Sequence, residues 1–323
     1  MKKLVWGILG CGDVAEVKSG PAFQKIYNSE LLAVMRRNAV KAEDFAKRHN
    51  VPTWYNNAEE LLKDSRINAI YIATPPSTHV ELTLKAIQAG KNIYLEKPMA
   101  INAQESARII EALNKSKSKL TVAHYRRKLP AFLKVKELLE NMSIGEIRFA
   151  DIQILQSPKS KLIADSDENW RIDPAISGGG YFHDLAPHQI DLMYQFFGEP
   201  EYVQGISGNQ NNLYPADDIV NGIIRFKSGV QFRGIWCFNA SEKDQKDECT
   251  IFGSHGSISF SFFGDKVVLN SEEHSETFDF EPLPHVQQPM IKATVDYFLG
   301  NAENPCSAED GLAVMNIMDR FCS

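Results

Sequence analysis

The architecture of this 323-residue chain follows from one segment, Leu4-Val5-Trp6-Gly7-Ile8-Leu9-Gly10-Cys11-Gly12-Asp13-Val14-Ala15, in which an apolar run leads into a glycine-rich turn. Glycines in such a turn let backbone N–H groups approach a pyrophosphate, and a small residue three positions later lets the next helix pack on the strand. Glycine-rich turns also occur without a ligand, but this one directly follows a strand. We therefore predict a dinucleotide site formed by Gly10, Cys11, Gly12, Asp13, Val14 and Ala15.

Strand-like and helical segments alternate from this turn to residue 123. The apolar runs of strand length are 31–35, 54–55, 67–73, 92–95 and 120–123, and the helical patterns between them are 42–49, 58–64, 79–88 and 103–114. This alternation is typical of a parallel, doubly wound sheet. Thr78-x-x-Glu81 also has the spacing of a capping box at the start of the third helix. We predict an α/β protein with a Rossmann domain over residues 1–123 and a second domain over 124–323.

Ligands of a parallel sheet bind outside the carboxyl ends of its strands. Cofactor candidates therefore lie at the ends of the strands 67–73 and 92–95, and they are Ala73, Thr74, Pro75, His79, Glu96 and Lys97. His79 either contacts the cofactor or caps a turn, and Glu96 either contacts the cofactor or supports the turn. Because Pro98 stiffens the backbone after it, Lys97 can present its ammonium to a cofactor or substrate. A surface Glu–Lys ion pair is the alternative.

The residues after strand 31–35 bear on the choice of cofactor. NAD-preferring sites usually carry an acidic residue there for the ribose hydroxyls, whereas this chain has Arg36-Arg37-Asn38. A guanidinium can pair with a 2′-phosphate through two parallel hydrogen bonds. We therefore favour NADP, bound by Arg36 and Arg37, with NAD as the alternative if both arginines are solvated loop residues.

Strand-like segments outnumber helices in the second half of the chain: 146–156, 202–208, 219–226, 230–238, 248–252 and 257–263. Lys227-Ser228-Gly229 joins two of them and is a hairpin signal. These connections predict an α+β domain with an open, mostly antiparallel sheet. Two late helices, 288–299 and 308–322, either cover an end of this domain or return to the first.

One helical segment among these strands carries side chains suited to acid–base chemistry. It follows Trp170-Arg171 and Gly178-Gly179-Gly180, and Tyr181, Asp184 and His188 recur at i, i+3 and i+7 on one face. The glycines allow close approach of a ligand or of another part of the chain. Histidine is suited to proton transfer near neutral pH, and Asp184 can orient it.

Other interpretations of these residues remain open. His188 can be a buried structural hydrogen-bonding residue, or it can bind a metal with His183, Asp184 and Asp191. Because His183 and Asp184 lie about 100° apart around a helix, these four do not converge easily, and we expect no metal. Tyr125-Arg126-Arg127, after the last predicted strand of the first domain, either binds a polyol or an acid or forms interdomain salt bridges.

Composition limits the class of protein. A hydrophobic content of 43% with 24% charged residues is ordinary for a globular protein, and the formal charge of −6 with no long basic run argues against nucleic acid or a membrane surface as a partner. Five cysteines without a CxxC pair predict reduced thiols in a cytoplasmic protein.

In their order along the chain, Gly10-x-Gly12-x-x-Ala15, Glu96-Lys97-Pro98 and Gly178-Gly179-Gly180-x-x-x-Asp184-x-x-x-His188 resemble the signatures of the glucose–fructose oxidoreductase, inositol dehydrogenase and MocA family. The resemblance implies NAD(P)-dependent oxidation or reduction of hydroxyl and carbonyl groups of sugars and polyols. It assigns catalysis to Lys97 and His188, with Asp184 as the acidic partner, and suggests a cis Lys97–Pro98 peptide. With the crossover residues included, the candidate substrate contacts are Lys97, Tyr125, Arg126, Arg171, Tyr181, Asp184 and His188.

Finer features of the resemblance concern the cofactor. Trp170-Arg171 is similar to the cofactor- and substrate-contacting pair of 1,5-anhydrofructose reductases, which use NADPH, and Arg36 and Arg37 fall where those enzymes contact the 2′-phosphate. The asparagine frequent after the sixth strand in the family is Ala123 here. Family analogy also implies a homodimer or homotetramer through the open sheet. A non-catalytic dinucleotide-binding sensor on the same scaffold is the alternative function.

Overall fold

Six parallel strands form the first sheet of the protein, a computed structural model of which describes residues 3–158 and 169–323. The strand order is β3-β2-β1-β4-β5-β6, so the order reverses between β1 and β4, the place where doubly wound sheets bind ligands. The strands are β1 Leu4–Leu9, β2 Ser29–Met35, β3 Thr53–Tyr55, β4 Ala69–Ile72, β5 Asn92–Leu95 and β6 Leu120–Val122. The parallel sheet predicted from the alternating pattern is confirmed.

Helices cover the faces of this sheet, as a parallel sheet with apolar strands requires. They are α1 Ala39–Arg48, α2 Ala58–Lys63, α3 His79–Gln88 and α4 Ala103–Asn114. The glycine-rich turn is followed by a π-helical segment, Val14–Ser19, and a 3₁₀ segment, Gly20–Gln24. Phe23 of that segment packs on Trp6 and Tyr71, with ring centres 4.7 and 5.4 Å away, and anchors the irregular helix to the strands.

The predicted capping box at Thr78 is wrong. A 3₁₀ turn, Pro76–Thr78, precedes α3, so Thr78 already has a helical backbone and its side chain makes no cap hydrogen bond. Its hydroxyl lies 2.9 Å from the Pro75 carbonyl and 2.7 Å from the Thr74 hydroxyl. The residue therefore stabilises the turn after β4 rather than the helix that follows.

Eight strands form the second sheet in the order β14-β13-β12-β11-β7-β10-β9-β8. Neighbours are antiparallel except β7 and β10, which are parallel, so the mostly antiparallel sheet is confirmed. The predicted hairpin is the pair β9–β10. The strands are β7 Ile147–Leu155, β8 Pro200–Gly208, β9 Ile219–Phe226, β10 Gln231–Cys237, β11 Lys246–Gly253, β12 Gly256–Phe260, β13 Lys266–Ser271 and β14 Ser275–Asp279.

The remaining helices are α5 Pro130–Glu140, α6 Pro174–Ser177, α7 Gly180–Phe197, α8 Gln288–Leu299 and α9 Ala308–Phe321. Contacts group the chain into one unit of Met1–Arg126 with Leu283–Leu312 and another of Arg127–Pro282 with Ala313–Ser323. The domain boundary after residue 123 stays a prediction. Within the described ranges, no helix combines the length and apolar character needed to cross a membrane.

Candidate functional site

The glycine turn packs tightly on one side and is open on the other. Gly10 has a φ of +92°, and a Cβ there would lie 2.9 Å from the Ala73 carbonyl carbon, so both conformation and space require glycine. A Cβ on Gly12 would meet nothing within 4 Å. The N–H groups of Gly10 and Cys11 donate to the Met35 carbonyl at 3.0 and 3.2 Å and fix the turn to the end of β2. The open space at Gly12 fits a dinucleotide phosphate.

Arg36 lies directly beside this turn. Its Nη1 donates to the Cys11 carbonyl at 3.3 Å, and its side chain is partly exposed, whereas Arg37 is exposed. Cys11 itself is fully buried, and burial raises the pKa of its thiol to about 11 although Arg36 opposes the shift. The thiol is therefore neutral at physiological pH. A cation beside the dinucleotide turn fits a cofactor with an additional phosphate.

His79 connects the turns that follow β4 and β5. It is fully buried, with Nε2 2.8 Å from the Thr74 carbonyl and Nδ1 2.9 Å from the Pro98 carbonyl. Burial lowers its pKa to about 4, against the two carbonyl oxygens, which favour the protonated ring. Both ring nitrogens thus contact protein, and the cofactor contact of His79 stays a prediction.

Glu96 is the centre of a buried polar network. One carboxylate oxygen, Oε1, accepts hydrogen bonds from the Tyr71 hydroxyl and, at 2.7 Å, from Gln287 Nε2. The other oxygen, Oε2, accepts from the backbone N–H of Lys97 at 3.2 Å. Lys97 is partly exposed, and its peptide bond to Pro98 is cis, as the resemblance suggested. The carboxylate of Glu96 therefore supports the turn that carries Lys97.

The residues after β6 are buried. Tyr125 and Arg126 are 6% and 5% exposed, with the Arg126 guanidinium 5.3 Å from the centre of the Tyr125 ring. Arg127 forms a buried ion pair in which Nε lies 3.0 Å from both oxygens of Asp191 and Nη2 lies 2.7 Å from Oδ1. This pair occupies Asp191, one of the residues considered as a metal ligand. The described ranges contain no group of three or more side chains that could hold a metal ion.

Gly179 and Gly180, at the start of α7, leave room for neighbouring protein atoms. Gly178 and Gly180 have φ values of +95° and +75°. A Cβ on Gly179 would lie 2.2 Å from His183 Nδ1, and one on Gly180 would lie 2.5 Å from the Ala216 Cβ. The close approach expected here therefore brings a histidine ring and the β8–β9 connection against the start of α7. His183 is 4% exposed, and burial lowers its pKa to about 4.

Tyr181, Asp184 and His188 lie on α7, and all three are largely buried. Arg171 donates from Nε to Asp184 Oδ2 at 3.0 Å, and its guanidinium stands 4.6 Å from the centre of the Trp170 ring. Arg171 is only 6% exposed, so Asp184 supplies a charge partner for a buried cation. Asp184 as a partner of His188 stays a prediction. His188 directly follows Pro187, which has no N–H to donate within the helix.

Sequence reasoning missed some residues that contact the candidate side chains. Asn169 Nδ2 donates to the Tyr181 hydroxyl at 2.8 Å, and the Tyr214 ring packs edge-on against the Tyr181 ring at 5.3 Å. Gln287 reaches Glu96 across 191 residues of sequence. No local motif marks these positions, because each contact is created by the fold.

Comparisons with known proteins show the family of this chain. Residues 4–124 match the model of an oxidoreductase family with an NAD-binding Rossmann fold, and residues 132–259 match the GFO/IDH/MocA C-terminal domain. An oxidoreductase of Formosa agariphila is 54% identical over 320 residues, 99% of this chain and 98% of that protein. A trans-1,2-dihydrobenzene-1,2-diol dehydrogenase of Xenopus tropicalis is 32% identical over 297 residues, 88% of this chain and 83% of that protein.

A solved structure supports the same fold. Levoglucosan dehydrogenase in complex with NADH and levoglucosan aligns with a TM-score of 0.87, covering 99% of this chain and 96% of that chain. Its sequence identity to this chain is 23%, so this likeness speaks for the fold alone.

Proposed function

This chain belongs to the GFO/IDH/MocA family of oxidoreductases with an NAD(P)-binding Rossmann domain, and from that membership we propose that it transfers hydride between NADP and a hydroxyl or carbonyl carbon of a sugar or polyol. The observation that carries the proposal is the common position of Lys97 and the glycine turn. The glycine turn directly follows β1 and Lys97 lies two residues after the end of β5, and the carboxyl ends of these parallel strands lie at the same edge of the sheet. A cation at that edge is placed to act on an oxygen beside the nicotinamide.

The proposed mechanism uses two groups of this chain. When bound, the nicotinamide supplies the hydride acceptor for oxidation or the hydride donor for reduction. In the oxidising direction, Lys97 and His188 hydrogen-bond the substrate hydroxyl and His188 accepts its proton, while the carbon loses hydride and becomes a carbonyl. In the reducing direction, His188 returns the proton to the carbonyl oxygen. Each positioned acid–base group typically contributes about 10²–10⁴-fold to the rate.

Two arginines support NADP over NAD. Arg36 lies against the glycine turn through its bond to the Cys11 carbonyl, and Arg37 is exposed next to it. Charge-assisted bonds from a guanidinium suit a 2′-phosphate. NAD is the alternative cofactor if neither arginine meets that phosphate.

The polar residues around the start of α7 favour a hydroxyl-bearing substrate. Arg171 offers donors, Tyr181 and Tyr214 offer hydroxyls on aromatic rings, and the Asp184 carboxylate already balances the charge of Arg171. Aromatic faces with nearby donors and acceptors are suited to the apolar and polar faces of a sugar or polyol. The Xenopus relative, named for a compound with adjacent hydroxyl groups, supports the same class.

We also propose a homodimer or homotetramer through the open face of the second sheet. Strand pairing places Ile206 and Ile223 on one face with Asp151 and Arg233, and the two isoleucines are 69% and 49% exposed. Exposed apolar side chains on a broad sheet face are suited to burial in a subunit interface. If Ile206→Glu leaves the sedimentation coefficient of the native protein unchanged, this interface is not the one used.

The experiment for the proposed function is cofactor consumption across a panel of sugars, sugar acids and polyols, in both directions, with NADP(H) and NAD(H). We expect turnover with at least one member of the panel and a higher kcat/KM with the phosphorylated cofactor. A non-catalytic sensor would bind dinucleotide, measured by calorimetry, and consume none on any substrate.

A further inference from the structure

Gln287 lies outside every sequence motif of the site and contacts the carboxylate that holds Lys97. Its side chain is 1% exposed, and its Nε2 donates to Glu96 Oε1 at 2.7 Å. We propose that Gln287 is a positioning residue that orients Lys97 through Glu96. The inference rests on the catalytic role proposed for Lys97.

The hydrogen bonds of the network converge on the Glu96 carboxylate. The Tyr94 hydroxyl donates to Gln287 Oε1 at 3.0 Å, Gln287 Nε2 donates to Glu96 Oε1, and the Lys97 N–H donates to Glu96 Oε2 at 3.2 Å. Because a carboxylate accepts hydrogen bonds, the amide nitrogen of Gln287 faces Glu96, and the amide oxygen is left to accept from Tyr94. The Glu96 carboxylate is thereby held from one side and orients the lysine backbone from the other.

Two buried tyrosines contribute the remaining hydroxyl groups of this network. Tyr71 and Tyr94 are fully buried, their rings stack at 5.2 Å, and burial raises the pKa of each well above its usual value, with Glu96 adding to the effect. Both hydroxyls therefore remain neutral donors. In such a dry environment, a carboxylate oxygen that loses one donor is left unsatisfied, and the carboxylate moves towards its remaining partners. For Glu96, those partners include the N–H of Lys97.

The backbone of the same segment is attached to the helix after the glycine turn. The Gln287 N–H donates to the Lys18 carbonyl at 3.2 Å, and His285 Nδ1 lies 2.7 Å from the Val17 carbonyl. These bonds do not involve the Gln287 side chain. Replacing the side chain should therefore disturb Lys97 while it leaves the cofactor turn in place.

Gln287→Met tests the inference, because methionine matches the length of glutamine and can neither donate to Glu96 nor accept well from Tyr94. We expect kcat to fall about tenfold, as small misplacements of a reacting group can cost up to about 10²-fold. Substrate KM and cofactor affinity should stay within about twofold. Amide exchange at Lys97 in the native protein, followed by NMR, should quicken, because its N–H bond to Glu96 weakens. Gln288→Met, on the neighbouring and partly exposed residue, is the matched control and should change none of these.

Gln287→Glu gives a pH-dependent readout that a general loss of stability would not produce. It sets a second carboxylate against Glu96, and two facing carboxylates do not both ionise readily. While the pair shares a proton, the new side chain can donate to Glu96 as Gln287 does, so we expect kcat relative to wild type to be retained at low pH and to fall as the pH rises, a dependence that Gln287→Met should lack. Gln287→Asn keeps the amide on a shorter side chain and should be intermediate.

The failure of the positioning role of Gln287 can be told apart from the failure of the catalytic role of Lys97. If Lys97→Met loses turnover while Gln287→Met and Gln287→Glu retain wild-type kcat and wild-type amide exchange at Lys97, the positioning role of Gln287 is overturned. If Lys97→Met itself retains turnover, the proposed function of Lys97 fails, and the inference fails with it.

Discussion

The Arg127 guanidinium contacts both carboxylate oxygens of Asp191, with Nε 3.0 Å from each oxygen and Nη2 2.7 Å from Oδ1. The two side chains are 7% and 1% exposed. Asp191 lies one turn after His188 on α7, so this ion pair fixes the helix that carries the proposed proton-transfer group. Arg127, considered above as a substrate or interdomain residue, therefore has a role within its own unit.

Removal of Arg127 should destabilise the protein strongly. Arg127→Met leaves the Asp191 charge buried without this partner, which typically costs about 3–5 kcal/mol in the free energy of unfolding. Denaturant unfolding measures it. The matched control is Arg225→Met, which breaks the exposed pair with Glu201, whose side chains are 55% and 54% exposed; an exposed pair is worth about 0–1 kcal/mol. Equal losses in the two variants would contradict the structural role of the buried pair.

Replacement of Gly10 should reduce the stability of the protein, whereas replacement of Gly12 should weaken cofactor binding. Gly10→Ala combines a strained φ of +92° with a clash against Ala73, so we expect a loss of at least about 2 kcal/mol in unfolding free energy. Gly12→Ala adds a methyl group to open space, so stability should change by less than about 0.5 kcal/mol while the dissociation constant for NADPH rises about tenfold or more. Thermal unfolding and calorimetry separate the effects. Unchanged NADPH binding by Gly12→Ala would place the phosphates elsewhere.

Arg36 and Arg37 should determine cofactor preference. Their joint replacement by glutamine removes charge-assisted contacts worth about 1.5–3 kcal/mol each, so the dissociation constant for NADPH should rise at least about 10²-fold while that for NADH changes little. Arg48→Gln, which breaks an ion pair with Glu16 farther along the same unit, is the control and should affect both cofactors alike. Equal weakening of NADPH and NADH by the double variant would favour NAD.

His183 should make the protein sensitive to acid. Burial lowers its pKa from 6.5 to about 4 in the folded state. The unfolded chain therefore binds a proton first as the pH falls, so stability is complete above about pH 6.5 and declines by about 2 kcal/mol between about pH 6.5 and pH 5. His183→Gln should reduce this decline, measured by denaturant unfolding across the range. His274→Gln, at a side chain that is 56% exposed, should not. If the unfolding free energy of wild type and of His183→Gln depended on pH in the same way, His183 would not be the source of the acid sensitivity.

Local patterns predicted the first sheet well because its determinants are local. The run Leu4–Leu9, its glycine turn and the helix of Ala103–Asn114 each carry their own periodicity and end signals. The strand β14, Ser275–Asp279, escaped notice because it is a mostly exposed edge strand without an apolar face. At Thr78, the sequence has the spacing of a capping box, but no cap forms because the turn that precedes α3 is already helical.

In the candidate site, too, local motifs predicted some features, and others depend on contacts that only the fold creates. Motif spacing singled out Lys97, Asp184 and His188 as candidates, which stay a prediction, but it could not show that Asp184 would pair with Arg171 or that the Glu96 carboxylate would accept from Gln287. The run of three glycines at the start of α7 correctly indicated close approach. One of the approaching groups, the His183 ring, belongs to α7 itself, whereas the other, the Cβ of Ala216, is placed by the packing of a distant loop.

The most direct test of the central claim is the turnover of Lys97→Met and His188→Gln on the best substrate of the panel, with NADPH affinity measured in parallel. We predict that each variant loses at least about 10²-fold in kcat while its dissociation constant for NADPH stays within about threefold of wild type. Near-wild-type kcat in either variant, with cofactor binding intact, would contradict the assignment of these two residues to the hydride-transfer step.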